Sequence, residues 1–289
     1  MTLRVWLAFL ALCVIWGLPY FFIKVAVVEV SPLLIAWGRI TLGALALLPV
    51  AWKMGALRNI GKHLGWLALF AVIELVGPFY LIALGEQAIS SSLTGILLSA
   101  VPLTVVLIAP LMGVKEHISM RRLLGLGVGL VGVVALLGID SLHSSREWLG
   151  AGFVLLATLG YACGPLIIQR HFSEVHPLGV VAASTAVGSL VLLIPAIVTA
   201  PSAFPSASVL ASIAILGVVC TALGLLLFVY VISNAGASRA AVVTYVNPAI
   251  AVLLGVWILD EHFGLGAGIG LVLILLGCWM ATSGTRATH

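Results

Sequence analysis

Apolar runs long enough to cross a lipid bilayer recur ten times, at roughly 5–26, 32–52, 64–84, 90–113, 120–138, 149–170, 177–200, 208–233, 237–258 and 263–284. A helix needs about 20 apolar residues to span hydrocarbon. In that medium each backbone N–H and C=O must find its partner inside the protein. Ten such runs joined by short connections predict an all-α integral membrane protein with ten transmembrane helices. Composition excludes a soluble fold. Hydrophobic residues make up 63% of the 289 and charged residues only 8%, with a mean hydropathy of +1.29. A soluble domain carries about 25% charged residues. The first run follows a lone Arg4 and continues past residue 20 without a small-residue cleavage site, so it reads as a retained span.

The chain also repeats itself. Val30-Ser31-Pro32 returns as Val175-His176-Pro177, and Leu48-Pro49 returns as Ile194-Pro195. Ala100-Val101-Pro102 returns as Val246-Asn247-Pro248, and Lys115-Glu116-His117 returns as Asp260-Glu261-His262. Each offset is 145 or 146 residues, half the chain. Two units are therefore expected, 1–144 and 145–289, each of five helices. An odd number of spans per unit sends the second unit in from the opposite face, an inverted-topology repeat of the kind transporters use.

Lysine and arginine orient the chain. With a cytoplasmic N-terminus, the inner side holds Arg4, Lys53, Arg58, Lys62, Lys115, Arg121, Arg122, Arg170, Arg239 and Arg286, and the outer side only Lys24 and Arg146. Ten against two is a strong positive-inside bias. It places both termini in the cytoplasm of a cell inner membrane protein. The formal net charge of +4 is thus a topology signal, and no basic face exists for nucleic acid. Cys13, Cys163, Cys220 and Cys278 all fall in apolar runs without metal-ligand spacing, and they read as small buried hydrophobes. Nothing in the pattern implies a metal or a cofactor.

Trp16-Gly17 followed by Phe21 and Lys24 forms one recognisable block. A second runs from Pro248 through Leu254-Gly255 and Glu261 to Leu276-Gly277. On these blocks, in order across both halves, the chain resembles the drug/metabolite transporter superfamily, and within it the ten-helix EamA-type exporters. The resemblance implies a basket of helices around a central cavity, with alternating access. It is similar most of all to bacterial exporters of amino acids, aromatic ones included. Export, as opposed to import, is implied by the resemblance alone.

Glu74 stands mid-span in Val72-Ile73-Glu74-Leu75-Val76. An ionisable group at that depth costs several kcal/mol and usually marks a pathway. Either it binds a substrate ammonium or a coupling proton, or it pairs with Arg39 and ties spans two and three together. Val219 takes its place in the second unit. Pro102 and Pro248 sit mid-span in helices four and nine, and Gly17-Pro19, Gly77-Pro78 and Gly164-Pro165 offer further breaks. Each proline removes a backbone bond. These sites are expected to line or hinge a cavity, with ordinary helix packing as the alternative. Trp16 and its counterpart Tyr161 lie deeper than a membrane-interface belt, while Tyr20, Tyr80, Tyr245, Ser99 and Asn247 gather near the prolines. With Glu74 and Pro78 they make up the expected substrate-binding set, and Gly17, Pro19, Pro102, Gly164, Pro165 and Pro248 the expected gating set. Trp37, Trp66, Trp148 and Trp257 read as belt residues. Glycines in helices five and ten offer small faces for close packing within the fold.

A secondary transporter for a small metabolite, as a monomer or weak homodimer in the bilayer, is the leading expectation, and a drug or lipid carrier the alternative. A membrane enzyme would need a catalytic set, and neither His-Glu-x-x-His nor Gly-x-Ser-x-Gly occurs.

Overall fold

The computed structural model describes residues 2–113, 120–138, 144–235 and 242–282. Lys115-Glu116-His117, Arg239, Arg286 and the side chain of Arg122 lie outside the described residues. Among the described residues there are ten helices: α1 Leu3–Ala26, α2 Pro32–Lys53, α3 Ile60–Gly85, α4 Ser91–Ile108, α5 Met120–Gly138, α6 Ser145–His171, α7 Pro177–Val198, α8 Ala207–Ala235, α9 Val243–Ile258 and α10 Leu265–Thr282. Seven are long and apolar enough to cross a membrane, and α5, α9 and α10 carry shorter apolar stretches.

The repeated segments have local causes. Ser31 caps α2 by accepting from the Leu34 N–H at 3.2 Å, with Pro32 opening the helix. His176 caps α7 in the same way, its Nδ1 accepting from Leu178 N–H at 3.2 Å before Pro177. A side-chain acceptor followed by proline satisfies an orphan N–H and presets the first helical φ. Ser144 and Glu147 form a reciprocal capping box at the start of α6.

Two pairs of helices, α2 with α7 and α5 with α10, pack side by side in opposite directions. Ser31 donates to Thr199 at 2.9 Å and Thr41 bonds Ser189 at 2.7 Å, so α2 and α7 run antiparallel. Along α5 and α10, Gly129 backs on Gly277 while Gly132 backs on Gly270 and Ile274, again antiparallel. There the glycines let the two backbones touch, which is packing inside the fold, as expected.

One end of the bundle is laced by side chains that cross between elements. Lys24 of α1 donates to the carbonyls of Glu86 (2.8 Å) and Ile89 (2.7 Å), just past the end of α3. Glu29 accepts from Ser206 N–H (2.8 Å) and Oγ (2.6 Å) at the start of α8. Glu261, between α9 and α10, accepts from Ser91 N–H (2.7 Å), Ser92 N–H (2.9 Å) and Ser92 Oγ (2.5 Å). It thereby caps α4 with a carboxylate from the other half of the chain, where the helix dipole favours negative charge. Glu261→Ala should lower the unfolding free energy by about 2 kcal/mol. A fall in the thermal midpoint of the detergent-solubilised protein is the readout; an unchanged midpoint means water replaces the cap.

Four helices are interrupted, and not all where proline predicts. α1 kinks at Leu18-Pro19, and α4 is interrupted at Ser99-Ala100 ahead of Pro102. α3 widens into a π-helical stretch, Ala71–Val76, before Gly77-Pro78. Pro165 and Pro248, by contrast, ride within continuous helices α6 and α9, which corrects the expectation of breaks there. A proline costs one bond, and neighbouring groups in a helical bundle can compensate for it. A second π-helical stretch, Ile215–Leu223, interrupts α8 at the position equivalent to the first. No proline announces it.

Candidate functional site

Glu74 lies on the π-helical stretch of α3, half-buried, with Oε2 sealed from solvent and without a hydrogen-bond partner. Its carboxyl occupies the space left by the missing side chain of Gly164 on α6; a Cβ there would collide with it. Gly164 is thus the room in which the carboxyl sits. Pro78 packs against Gly160, one helical turn before Gly164 on α6. Of the two readings of Glu74, the tie to Arg39 is not what the structure contains.

Arg39 is turned elsewhere. It is only 7% exposed, yet it donates just once among the described residues, from Nε to Thr221 Oγ1 at 2.9 Å. Thr221 belongs to the π-helical stretch of α8 and donates its own proton to the Leu216 carbonyl at 2.9 Å, which leaves its oxygen free to accept. The Arg39 guanidinium lies 3.7 Å over the centre of the Phe79 ring, a cation–π contact that fixes its plane.

One tyrosine lies near both charges, and others pack close to it. Tyr161 lies within electrostatic range of Arg39, Tyr20 and Glu74, and Tyr20, Tyr161 and Tyr245 all pack against one buried cluster. The Tyr20 ring rests on Gly95 of α4, where α9 also comes close through Ala251. Tyr80 and Tyr161 flank a second cluster built on Ala36, Ile40, Leu75, Phe79 and Leu192. Trp16 stands apart, its ring 4.8 Å from that of Phe228 and its indole against Gly224.

Other expected residues serve the framework. The Ser99 hydroxyl is buried and donates to the Ile96 carbonyl at 2.6 Å. Asn247, with its amide turned so that nitrogen donates, reaches the carbonyls of Cys13 (3.2 Å) and Val243 (3.0 Å) and joins α1 to α9. Gly17 lets Ile250 of α9 approach α1 at its kink. Trp37 departs from the belt expectation, since its indole nitrogen is buried without a partner. Trp66, Trp148 and Trp257 are exposed, as a belt requires.

A cleft of about 360 Å³ lies between α3 and α6, lined by Trp66, Ile73, Met112, Cys163, Arg170 and His171. Trp66 and His171 stack at 3.5 Å beside it. It runs from the end of the bundle opposite Lys24 to Ile73 and Cys163, which precede Glu74 and Gly164 in the chain. Sequence reasoning missed Thr221, Phe79 and an independent role for Arg39. A lone arginine inside an apolar span was visible; its partner 182 residues away was not.

Among the described residues, helices long enough to cross a bilayer, interrupted within their spans and carrying Glu74 and Arg39 without an ion pair between them, fit a multi-pass membrane transporter. The chain belongs to the EamA-like transporter family, which it matches twice, over residues 3–138 and 148–283. It is 24% identical over 283 residues to the uncharacterized transporter YoaV of Bacillus subtilis (strain 168), covering 96% of this chain and 97% of that one. It is 27% identical over 284 residues to the uncharacterized inner membrane transporter YedA of Escherichia coli (strain K12), covering 96% and 90%. One solved crystal structure shares the fold with a TM-score of 0.68 at 19% identity, covering 98% of this chain and 97% of that chain.

Proposed function

We propose that this transporter exports amino acids, aromatic ones included, across the cell inner membrane by alternating access. The observation that carries the reading is the Glu74 carboxyl, which lacks a hydrogen-bond partner at Oε2 while Tyr161 stands within its electrostatic range. A carboxylate left unpaired in a low-dielectric setting is strongly disposed to bind a cation, and a substrate ammonium is one. Tyr161 near it suits a solute with an apolar or aromatic side chain. The cleft between α3 and α6 offers such a solute an approach to Glu74.

The chain is organised as two five-helix units, 1–144 and 145–289, in inverted orientation. Support comes from the antiparallel pairs α2–α7 and α5–α10, from the two-fold family match and from the recurring π-helical stretches. The excess of lysine and arginine puts both termini and the Arg170 end of the bundle in the cytoplasm. The laced end then faces outward. The kinks at Pro19, Pro78 and Pro102 supply the bends about which one unit rocks on the other, and Pro165 and Pro248 stand at matched depths.

Purified protein in liposomes, given labelled phenylalanine with unlabelled competitors, tests the substrate. Competition by aromatic and branched amino acids, and none by sugars, is the expected result. Transport of cationic drugs with no effect of any amino acid would overturn it.

A further inference from the structure

We infer that Arg39 is the receptor for the substrate's carboxylate and so decides that the transporter takes amino acids rather than the corresponding amines. This role deepens the amino-acid reading and rests on it for the identity of the solute.

The geometry around Arg39 leaves a binding edge unused. A guanidinium offers five N–H donors in a rigid planar fork and stays charged under all physiological conditions. Here a single donor, Nε, is engaged, by Thr221. The plane is clamped on one face by Phe79. Thr221 in turn is held by its bond to Leu216 on the widened turn of α8. The two terminal nitrogens therefore keep a set orientation and make no hydrogen bond among the described residues, which is the fork that matches a carboxylate.

Charge points the same way. A cation only 7% exposed among apolar helices is costly unless an anion compensates it. Among the described residues no carboxylate lies within ion-pairing distance of it. Glu86, fully buried and with neither carboxylate oxygen hydrogen-bonded among the described residues, lies in electrostatic range of Arg39 and is shared with Lys24. An incoming carboxylate supplies the hydrogen-bonded anion that Glu86 does not.

The two charges also stand at similar depth in the bundle. Arg39 is seven residues from the start of α2 and Glu74 eleven from the end of α3, both counted from the Lys24 end. The difference of four residues is about 6 Å of helical rise. An α-amino acid carries its carboxylate and ammonium on the same carbon atom, so a carboxylate held by Arg39 keeps the ammonium within a few ångströms of the guanidinium. Tyr161, in range of both charges, is then beside the amino acid's side chain.

The test measures thermal stabilisation of the purified protein by L-phenylalanine, 3-phenylpropionate and phenethylamine, which share a ring and differ in charged groups. In the wild type, phenylalanine and 3-phenylpropionate should bind; Arg39→Gln should weaken both about tenfold or more while leaving phenethylamine unchanged, since a charge-assisted fork is lost. Arg39→Lys, which keeps the charge without the fork, should fall between. Thr221→Val releases the plane without touching the charge and should also reduce carboxylate preference, which keeps the test decisive if Arg39→Gln does not fold. Equal loss of acid and amine binding in these variants, an intact preference for the acids, or no binding of either acid by the wild type overturns the proposal. If 3-phenylpropionate binds through Arg39 but phenylalanine neither binds nor moves, the amino-acid reading fails and the carboxylate receptor stands.

Discussion

Glu74→Gln is expected to cut amino-acid flux at least about tenfold and to leave the protein as stable as the wild type, or more so. The two effects have one cause. A carboxyl with an oxygen sealed from water and unpartnered costs folding free energy, because no native bond replaces its lost hydration. Glutamine fits the same space against Gly164 without the charge, so the fold loses nothing. Transport loses its cation acceptor, and one charge-assisted bond is worth about 1.5–3 kcal/mol, a factor of roughly ten or more. Flux in liposomes and a thermal midpoint, measured on the same preparation, check both halves. Normal flux in this variant would remove Glu74 from the pathway, and a large fall in midpoint would make it a structural residue.

Gly277→Val should be among the most damaging single changes to stability. A Cβ on Gly277 would meet the backbone of Gly129 and the carbonyl of Gly125, neither of which can rotate away as a side chain can. The α5–α10 seam must open along its length to admit it, and overpacking of this kind costs about 1–3 kcal/mol or more. Gly127→Val is the matched control, since a side chain there would meet nothing within 4 Å. A clear drop in thermal midpoint for the first and almost none for the second is the expected pair. Equal midpoints would mean that the seam is looser than its glycines imply.

What was legible in the sequence was local. The Ser31-Pro32 and His176-Pro177 pairs recur because each caps and opens an equivalent helix, with all its bonds inside a few residues. Span lengths were readable because hydrocarbon thickness sets them. What was not legible depends on which helices become neighbours. Glu261 caps a helix some 170 residues earlier, and Arg39 finds Thr221 rather than Glu74. Prolines within the spans stand beside the interruptions of α1, α3 and α4, at Pro19, Pro78 and Pro102. The expectation of breaks failed at Pro165 and Pro248, since a chain pattern does not record how neighbours absorb a missing N–H. The widened turn in α8 carries no proline at all; Thr221 supports it by bonding five residues back to Leu216. Glu74 was conspicuous as a charge in an apolar run. Arg39 was equally conspicuous, and pairing two opposite charges by depth alone hid the more useful arrangement, in which neither neutralises the other.

Trans-stimulation is the measurement that bears most directly on a carrier with one site and alternating access. Liposomes holding the protein are preloaded with unlabelled phenylalanine and diluted into a trace of labelled phenylalanine. Alternating access requires faster uptake than into empty vesicles, with a transient overshoot of label, because each return of the site is occupied. Label that merely equilibrates, at a rate indifferent to what the vesicles hold, would contradict a carrier and indicate a pore.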